Sequence, residues 1–245
     1  MTTQNAVGGT LYLISTPIGN LGDLSPRARE VLGSVELVAC EDTRRTGRLL
    51  AGIGVKSKLL SLHDHNERSR TEPLLRHLES GQSVAIVSDA GTPLVSDPGF
   101  VIVREAAARG IRVEPVPGPS ALLAALVASA LPPYPFTFLG FPPPRSGRRR
   151  RFFERYAHLE HTLVLFESPH RLLAGLEDAT AVFGDRPAAV ARELTKMHEE
   201  ILRGDLSQLR ETLARRDSLK GEFVIVIGAG SGAEIQQPPK TCVPE

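Results

Sequence analysis

Short apolar, β-branched runs alternate with helix-patterned segments along most of the chain, and this alternation restricts the fold more than any other feature. TLYLIS (10–15), VELVAC (35–40), SVAIVSD (83–89) and IRVEPV (111–116) read as buried strands. Between them lie SPRAREVLGS (25–34), DTRRTGRLLAGIG (42–54), NERSRTEPLLRHLESG (66–81) and DPGFVIVREAAARG (97–110), which carry helix signals. Ser25 stands at an N-cap with Pro26 at the first helical position, and Ala28, Val31 and Leu32 line one face. PSALLAALVASA (119–130) is apolar all round, which predicts a buried helix. A second series follows. FTFLGF (136–141), HTLVLFES (161–168), the start of PAAVARELTK (187–196) and GEFVIVIGAG (221–230) read as strands. SPHRLLAGLEDATAVF, opened by Ser168 and Pro169, and DLSQLRETLARR (205–216) read as helices. Strands alternating with helices predict an α/β fold with largely parallel sheets.

The chain is long enough, at 245 residues, for one large domain or two ordinary ones. The pattern breaks at VPGPS (116–120), so two α/β domains are expected, 1–116 and 117–230, with a flexible Gly/Pro/Gln-rich tail over 231–245. Cys40 and Cys242 lie far apart with no zinc-type spacing, which suits a reducing compartment. The N-terminal residues lack the basic and apolar regions of a secretion signal, and no run approaches 18 apolar residues. A cytoplasmic protein without a membrane partner is expected.

In parallel α/β sheets, ligands sit beyond the carboxyl ends of strands, so the loops that follow strands carry the chemistry. STPIGNLGD (15–23) is a Gly-rich turn that lets backbone approach a ligand, but it lacks the GxGxxG spacing of a dinucleotide loop. The later GAGSGA (228–233) has too little chain after it for that role. SDAGTPLVSDPG (88–99) is too specialised for a connector. Asp89, beside the small Ala90 and Gly91, offers a carboxylate and open amides to a cationic or polar ligand, and Asp97 is placed to cap the next helix. Ser120 of VPGPSALLAAL stands at a helix start, where unpaired amides gather. CEDTRRTGRLL (40–50) and SLHDHNERSR (61–70) mix acids with arginines. His63 and His65 alternate, so on a strand both face one side, as two metal ligands or as partners of a polynucleotide. Spacing fixes no third ligand, and no metal is expected. In ARELTKMHEE (191–200), Lys196 is either a buried amine with a lowered pKa or a solvated charge.

The formal net charge of +1 conceals a skew, because 24 of the 29 cationic residues are arginine. Residues 140–155 hold Arg145, Arg148, Arg149, Arg150, Arg151 and Arg155 against one Glu, a net +5 that leaves the rest of the chain at −4. Phe152, Phe153 and Tyr156 are interleaved. Guanidinium forks pair with phosphate and aromatic rings stack on bases, so this segment is expected to meet RNA. Phe152 or Phe153 should enter the core while the arginine run faces solvent.

Taken in order, LYLISTPIGNLGDLSPRA, CEDTRRTGRLL, LHDHNE, SDAGTPLVSDPG, VPGPSALLAAL, FLGFPPP, FESPHR and ARELTKMHEE resemble the small-subunit ribosomal RNA methyltransferases of the tetrapyrrole (corrin/porphyrin) methylase superfamily, over residues 10–227. The resemblance implies two α/β domains with S-adenosylmethionine (SAM) in the cleft between them, usually as a homodimer. It implies 2′-O-methylation of a cytidine in 16S ribosomal RNA near the decoding site, in the assembled small subunit, and no DNA partner. Many members carry a further small C-terminal domain that this chain is expected to lack.

Carried over by motif, the cofactor contacts would be Pro17, Asp89, Ala90, Gly91, Leu94, Ser120 and Ala121. Phe166, Glu167, Leu194 and the segment from Gly221 to Phe223 would join them. A sulfonium favours carboxylates and carbonyls, whereas RNA favours arginine at the rim. Arg44, Arg45 and His63 are therefore expected on the RNA backbone, together with Arg145, Arg148, Arg149, Arg150 and Arg151. A ribose hydroxyl is a poor nucleophile, so Lys196 or Glu167 is expected to assist it as the catalytic residue. Three other readings compete. Methylation of a small molecule such as a tetrapyrrole needs the same cleft but not the arginine cluster. A metal-dependent hydrolase would use His63, Asp64 and His65, and a non-catalytic RNA-binding protein would not bind SAM.

Overall fold

The computed structural model describes residues 8–230, so the tail expected over 231–245, with Cys242, lies outside the described residues. The chain forms two compact units, one ending at Ser120 and the other beginning at Ala121.

The first unit is a five-stranded sheet with every pairing parallel. Its strands are β1 (Leu11–Ile14), β2 (Leu37–Cys40), β3 (Lys58–Ser61), β4 (Val84–Val87) and β5 (Val113–Val116), in the order β3-β2-β4-β1-β5. Helices cover both faces. α1 (Pro26–Ser34) and α2 (Thr43–Gly52) pack Leu32 and Leu50 with Ile14, Val38 and Val87. α3 (Glu67–Glu79) and α4 (Phe100–Ala108) pack Leu75 and Ile102 with Leu11 and Ile86 on the other side. Strands covered on both faces need no polar alternation, which is why VAIV of β4 is buried throughout. Because β1 and β4 are neighbours, the loops that follow them emerge side by side.

Local signals start the first two helices. The Ser25 hydroxyl accepts the Ala28 amide at 3.1 Å, and the Asp42 carboxylate accepts the Arg44 amide at 2.8 Å. Asp97, however, does not cap α4. That helix begins two residues later than a cap at Asp97 would require; Gly99 is its N-cap residue, at φ 124°, and makes no side-chain cap bond.

The second unit is a five-stranded sheet in the order β6-β7-β10-β8-β9. It comprises β6 (Phe136–Phe138), β7 (Thr162–Glu167), β8 (Pro187–Arg192), β9 (Glu200–Asp205) and β10 (Phe223–Ile227). Its helices are α5 (Ala121–Ala128), α6 (Ser146–Glu154), α7 (Leu172–Phe183) and α8 (Leu206–Ala214). The expectation of largely parallel sheets fails here, since only β6 and β7 pair in parallel. β7 and β8 do run in the same direction, as a strand–helix–strand unit requires. The last strand then enters between them, antiparallel to both. FVIVI of β10 is buried at every position, so the centre of the sheet suits it.

Three local readings are also corrected. α5 is not a wholly buried helix: it packs on β7 and β10 through one stripe that buries Ala125 and Leu126, while Val127 is 73 % exposed. Helix α7 starts after Arg171 rather than at Ser168 and Pro169. Strand β9 was hidden because EILRGD is half-exposed and polar at alternate ends of an edge.

Candidate active-site loops and the arginine helix

In the first unit, hydroxyls and amides knit three loops together beyond the strand ends. Thr16 and Gly91 exchange backbone hydrogen bonds of 2.9 and 3.0 Å. The Thr16 hydroxyl donates to the Ser88 carbonyl at 3.1 Å, and the Ser88 hydroxyl to the Gly91 carbonyl at 3.0 Å. Ser15 donates to the Thr92 hydroxyl at 3.2 Å, and Thr92 to the Pro119 carbonyl at 3.4 Å. Gly91 has φ 87°, and a Cβ on Gly118 would stand 3.0 Å from that of Ser15, so both positions suit glycine. The loops holding Pro17, Asp89, Ala90, Gly91 and Leu94 are thus joined, and Ser120 directly precedes Ala121 at the start of α5.

The same end of the sheet is acidic. Asp89 Oδ1 accepts the Asp42 amide at 3.1 Å, and its Oδ2 pairs with Arg45 at 3.2 Å. Burial raises the pKa of Glu41, with the Asp89 and Asp64 charges adding to it. Burial pushes Asp97 up to about 6, helped by Glu41 and Asp89 and opposed by the Ser88 hydroxyl. The Asp89 charge thus raises the cost of ionising both Glu41 and Asp97, and such a gathering of carboxyl groups suits a cationic ligand. Arg44 and Arg45 are exposed, but each is engaged, Arg44 with Asp42 at 2.9 Å and Arg45 with Asp89.

His63 and His65 do not share a strand face. β3 ends at Ser61, and the two rings meet edge-on in the following turn with centroids 6.0 Å apart. His63 Nε2 lies 3.0 Å from the Asn66 side-chain nitrogen. Among the described residues no three His, Cys, Asp or Glu side chains gather as a metal site. A groove of about 720 Å³ lined by Leu21, Leu24, Arg29, Gly33, Ile53 and Val55 lies on the helix flank of this unit and holds none of Pro17, Asp89, Ala90, Gly91 and Leu94.

In the second unit, Lys196 follows β8 in a tightly folded loop. Its ammonium donates to Glu193 at 2.9 Å and Glu222 at 3.1 Å. Burial alone would lower its pKa, but the bonds to Glu193 and Glu222 outweigh burial and hold it above the usual lysine value. The amine-base form of Lys196, with a lowered pKa, is therefore corrected to a bound ammonium. Glu193 and Thr195 have φ 49° and 66°. Gly221, at φ 103°, lies under Glu193, where a Cβ would come within 2.5 Å of Glu193 Cγ. Leu194 is buried between them in sequence.

Glu167, at the end of β7, is 2 % exposed. Its Oε1 accepts the Ser168 amide at 2.8 Å and pairs with Arg171 at 2.9 Å, while Oε2 is buried, without a hydrogen bond, facing Gly175 of α7. A carboxylate turned into its own helix layer anchors α7 and is badly placed to reach a hydroxyl in solution. Phe166 points elsewhere, into a ring cluster with Phe138 and Phe141 at 4.9 and 5.3 Å.

The arginine segment forms α6, and its members separate. Arg149 is 2 % exposed and grips Asp178 of α7, with Nη2 at 2.6 Å and Nε at 2.8 Å. Its expected RNA contact is thereby corrected: its guanidinium is buried and occupied. Arg150 also pairs with Asp178, at 2.6 Å, from a half-exposed position. Burial opposes ionisation of Asp178, but Arg150, Ser146 and Arg149 outweigh it and lower its pKa. Arg145, Arg148, Arg151 and Arg155 are exposed and make no ion pair among the described residues. Phe153 enters the core beside Phe183, and Phe152 packs against its edge. The burial of Arg149 was legible in principle, since it lies one helical turn before Phe153 on the same face.

A sequence model of the tetrapyrrole (corrin/porphyrin) methylases matches residues 10–210. The chain belongs to that family of SAM-dependent methyltransferases. The fold agrees: a uroporphyrin-III C-methyltransferase from Thermus thermophilus, solved in complex with S-adenyl homocysteine, superposes with a TM-score of 0.64 at 20% identity, covering 90% of this chain and 97% of that one. Within the family, the chain is 52% identical over 221 residues to ribosomal RNA small subunit methyltransferase I of Xylella fastidiosa (strain Temecula1), covering 89% of this chain and 81% of the relative. It is 48% identical over 228 residues to the Micromonospora olivasterospora protein of that name, covering 93% and 72%. No helix among the described residues is long and apolar enough to cross a membrane.

Proposed function

We propose that the protein transfers a methyl group from SAM to the 2′-oxygen of a cytidine in 16S ribosomal RNA, near the decoding site of the small subunit. The observation that carries this reading is the high identity, over most of both chains, to proteins named ribosomal RNA small subunit methyltransferase I. The exposed arginines of α6 add a surface suited to phosphate. A small-molecule methylase would have no use for that surface.

The residues present fit SAM. Its sulfonium and ammonium are cationic, and the first unit gathers the carboxyl groups of Glu41, Asp89 and Asp97 beyond the ends of β2 and β4. Pro17, Asp89, Ala90, Gly91 and Leu94 would hold the cofactor from this unit, with Ser120 and Ala121 at the start of α5. Phe166, Leu194 and Gly221 are the proposed contacts from the second unit. When bound, SAM supplies an electrophilic methyl group.

The chain's own part is to bind, orient and polarise. Lys196, kept protonated by Glu193 and Glu222, would donate a hydrogen bond to the ribose oxygen and ease the loss of its proton to solvent water. Glu167 would act through Arg171 and α7, as a positioning group. Arg145, Arg148 and Arg151 would hold the RNA backbone, with Arg44, Arg45 and His63 contributing from the first unit. A homodimer is part of the proposal. Small subunits isolated from a deletion strain should accept labelled methyl groups from the purified protein, and nucleotide mapping should place them on one cytidine ribose. Methyl incorporation into a porphyrinoid but not into small subunits would replace this reading.

A further inference from the structure

The loop from Ser88 to Gly99 is held in a shape it would not keep alone. Leu94 and Ser96 have φ 70° and 72°, a region that side chains with a Cβ rarely adopt. A Cβ on Gly99 would stand 3.1 Å from Leu94 Cδ1, so the loop closes tightly on itself. At its near end the loop is tied through Gly91 to Thr16, just beyond β1. Its far end runs into α4, whose N-cap residue supplies no side-chain acceptor.

The missing acceptor comes from another helix. Glu67, in the first turn of α3, is 8 % exposed, and its Oε1 accepts the amides of Gly99 at 3.0 Å and Val101 at 2.8 Å. A carboxylate bonded by amides at a helix N-terminus is well stabilised without a cationic partner. Glu67 is itself fixed. Its amide donates to the His63 carbonyl at 2.9 Å, and Asn66 binds back to the His63 amide at 2.9 Å and the Ser61 carbonyl at 3.1 Å. One side chain therefore fastens the loop after β4 to the turn after β3.

We propose that Glu67 is a positioning residue for the cofactor: it holds the Ser88–Gly99 loop in its binding shape and mechanically joins that loop to the His63 turn. This rests on the reading above that the loop contacts SAM. The latch itself and its effect on the ligand are separable by experiment.

Hydrogen exchange on the free protein tests the latch. Glu67→Ala should speed exchange in the peptide spanning residues 94–104 by at least tenfold and leave β1 and β4 protected. Calorimetry with S-adenosylhomocysteine tests the consequence. Glu67→Ala should weaken binding about tenfold and raise the KM for SAM to match, with kcat at saturation within threefold of wild type. Glu67→Gln, whose oxygen still accepts both amides, should recover most of the affinity. Ser25→Ala, which uncaps α1 instead, should lower stability and leave affinity unchanged. If Glu67→Ala does not fold, Glu67→Asp, too short to reach both amides, takes its place in each arm. Unchanged exchange over 94–104, or wild-type affinity in a folded variant whose loop exchanges faster, would overturn the proposal. Absence of S-adenosylhomocysteine binding to the wild type, with exchange still accelerated in the variant, would refute the cofactor reading and leave the latch standing.

Discussion

Replacing Arg148 and Arg151 together with Ala should flatten the salt dependence of RNA binding, whereas replacing Arg149 with Ala should leave that slope alone and lower stability. Among the described residues the two exposed arginines make no ion pair; Arg151 donates to the Gly147 carbonyl at 3.2 Å. Each phosphate contact contributes about 0.7 to 0.9 to the slope of log K against log salt. Losing two should therefore reduce the slope by about 1.4 to 1.8. Between 50 and 200 mM salt, wild type should lose about tenfold more affinity than the double variant. Alanine is a good helix former, so α6 should persist. Arg149→Ala instead leaves Asp178 in the core with Arg150 and Ser146 as its remaining partners and removes a buried side chain. Breaking a buried pair costs about 3–5 kcal/mol, and the surviving partners place the loss near 3. At about 2–4 °C per kcal/mol, melting should drop by about 6–12 °C. Fluorescence anisotropy with a 16S ribosomal RNA fragment over that salt range, beside thermal melts, reads both effects. An unchanged slope in the double variant, or a shallower slope with unchanged melting for Arg149→Ala, would refute this division of α6.

Asp97→Asn should stabilise the protein near neutral pH and not in acid. Folding raises the Asp97 pKa to about 6, so the native state binds its proton more tightly than the unfolded chain, and stability from this group declines from pH 4 to 6. The full shift would correspond to about 3 kcal/mol, and partial exposure reduces it to about 1; melting curves at pH 5 and 7.5 should show the variant's advantage growing with pH. Lys196→Ala should lower kcat by about 10²-fold with SAM affinity unchanged in calorimetry, and near wild-type turnover would remove Lys196 from the reaction. Gly221→Ala should displace Glu193 and with it Lys196, lowering activity about as much as Lys196→Ala, since the added Cβ would overlap the Glu193 side chain.

The first unit was legible because its parallel strands and helices alternate as local patterns, and its first two helices start on their own caps, Ser25 and Asp42. The second unit was less so. That FVIVI would lie between β7 and β8 depends on pairing with strands far away in sequence, which periodicity does not encode. The four consecutive arginines looked uniform because composition ignores the helical face. Asp178, which draws Arg149 inward, belongs to another helix. Lys196 stands out in the sequence, but its protonation is fixed by Glu222, remote in sequence, as well as by nearby Glu193. Glu67 gave no sign at all, since the amides it binds belong to a helix in a different segment.

The central position of β10 has a consequence for how the protein is made. All five strands of the first unit are complete by Val116, so that unit can close while the rest is still being synthesised. In the second unit, β7 and β8 emerge early yet share no hydrogen bonds with each other, and both wait for Phe223–Ile227. Until those residues leave the synthesis machinery, two apolar strands present open edges to the surroundings. Released chains truncated after residue 222 and after residue 230 should therefore differ sharply in protease resistance over this unit. A protein proposed to modify ribosomes would itself depend on one to deliver the last strand of its second unit.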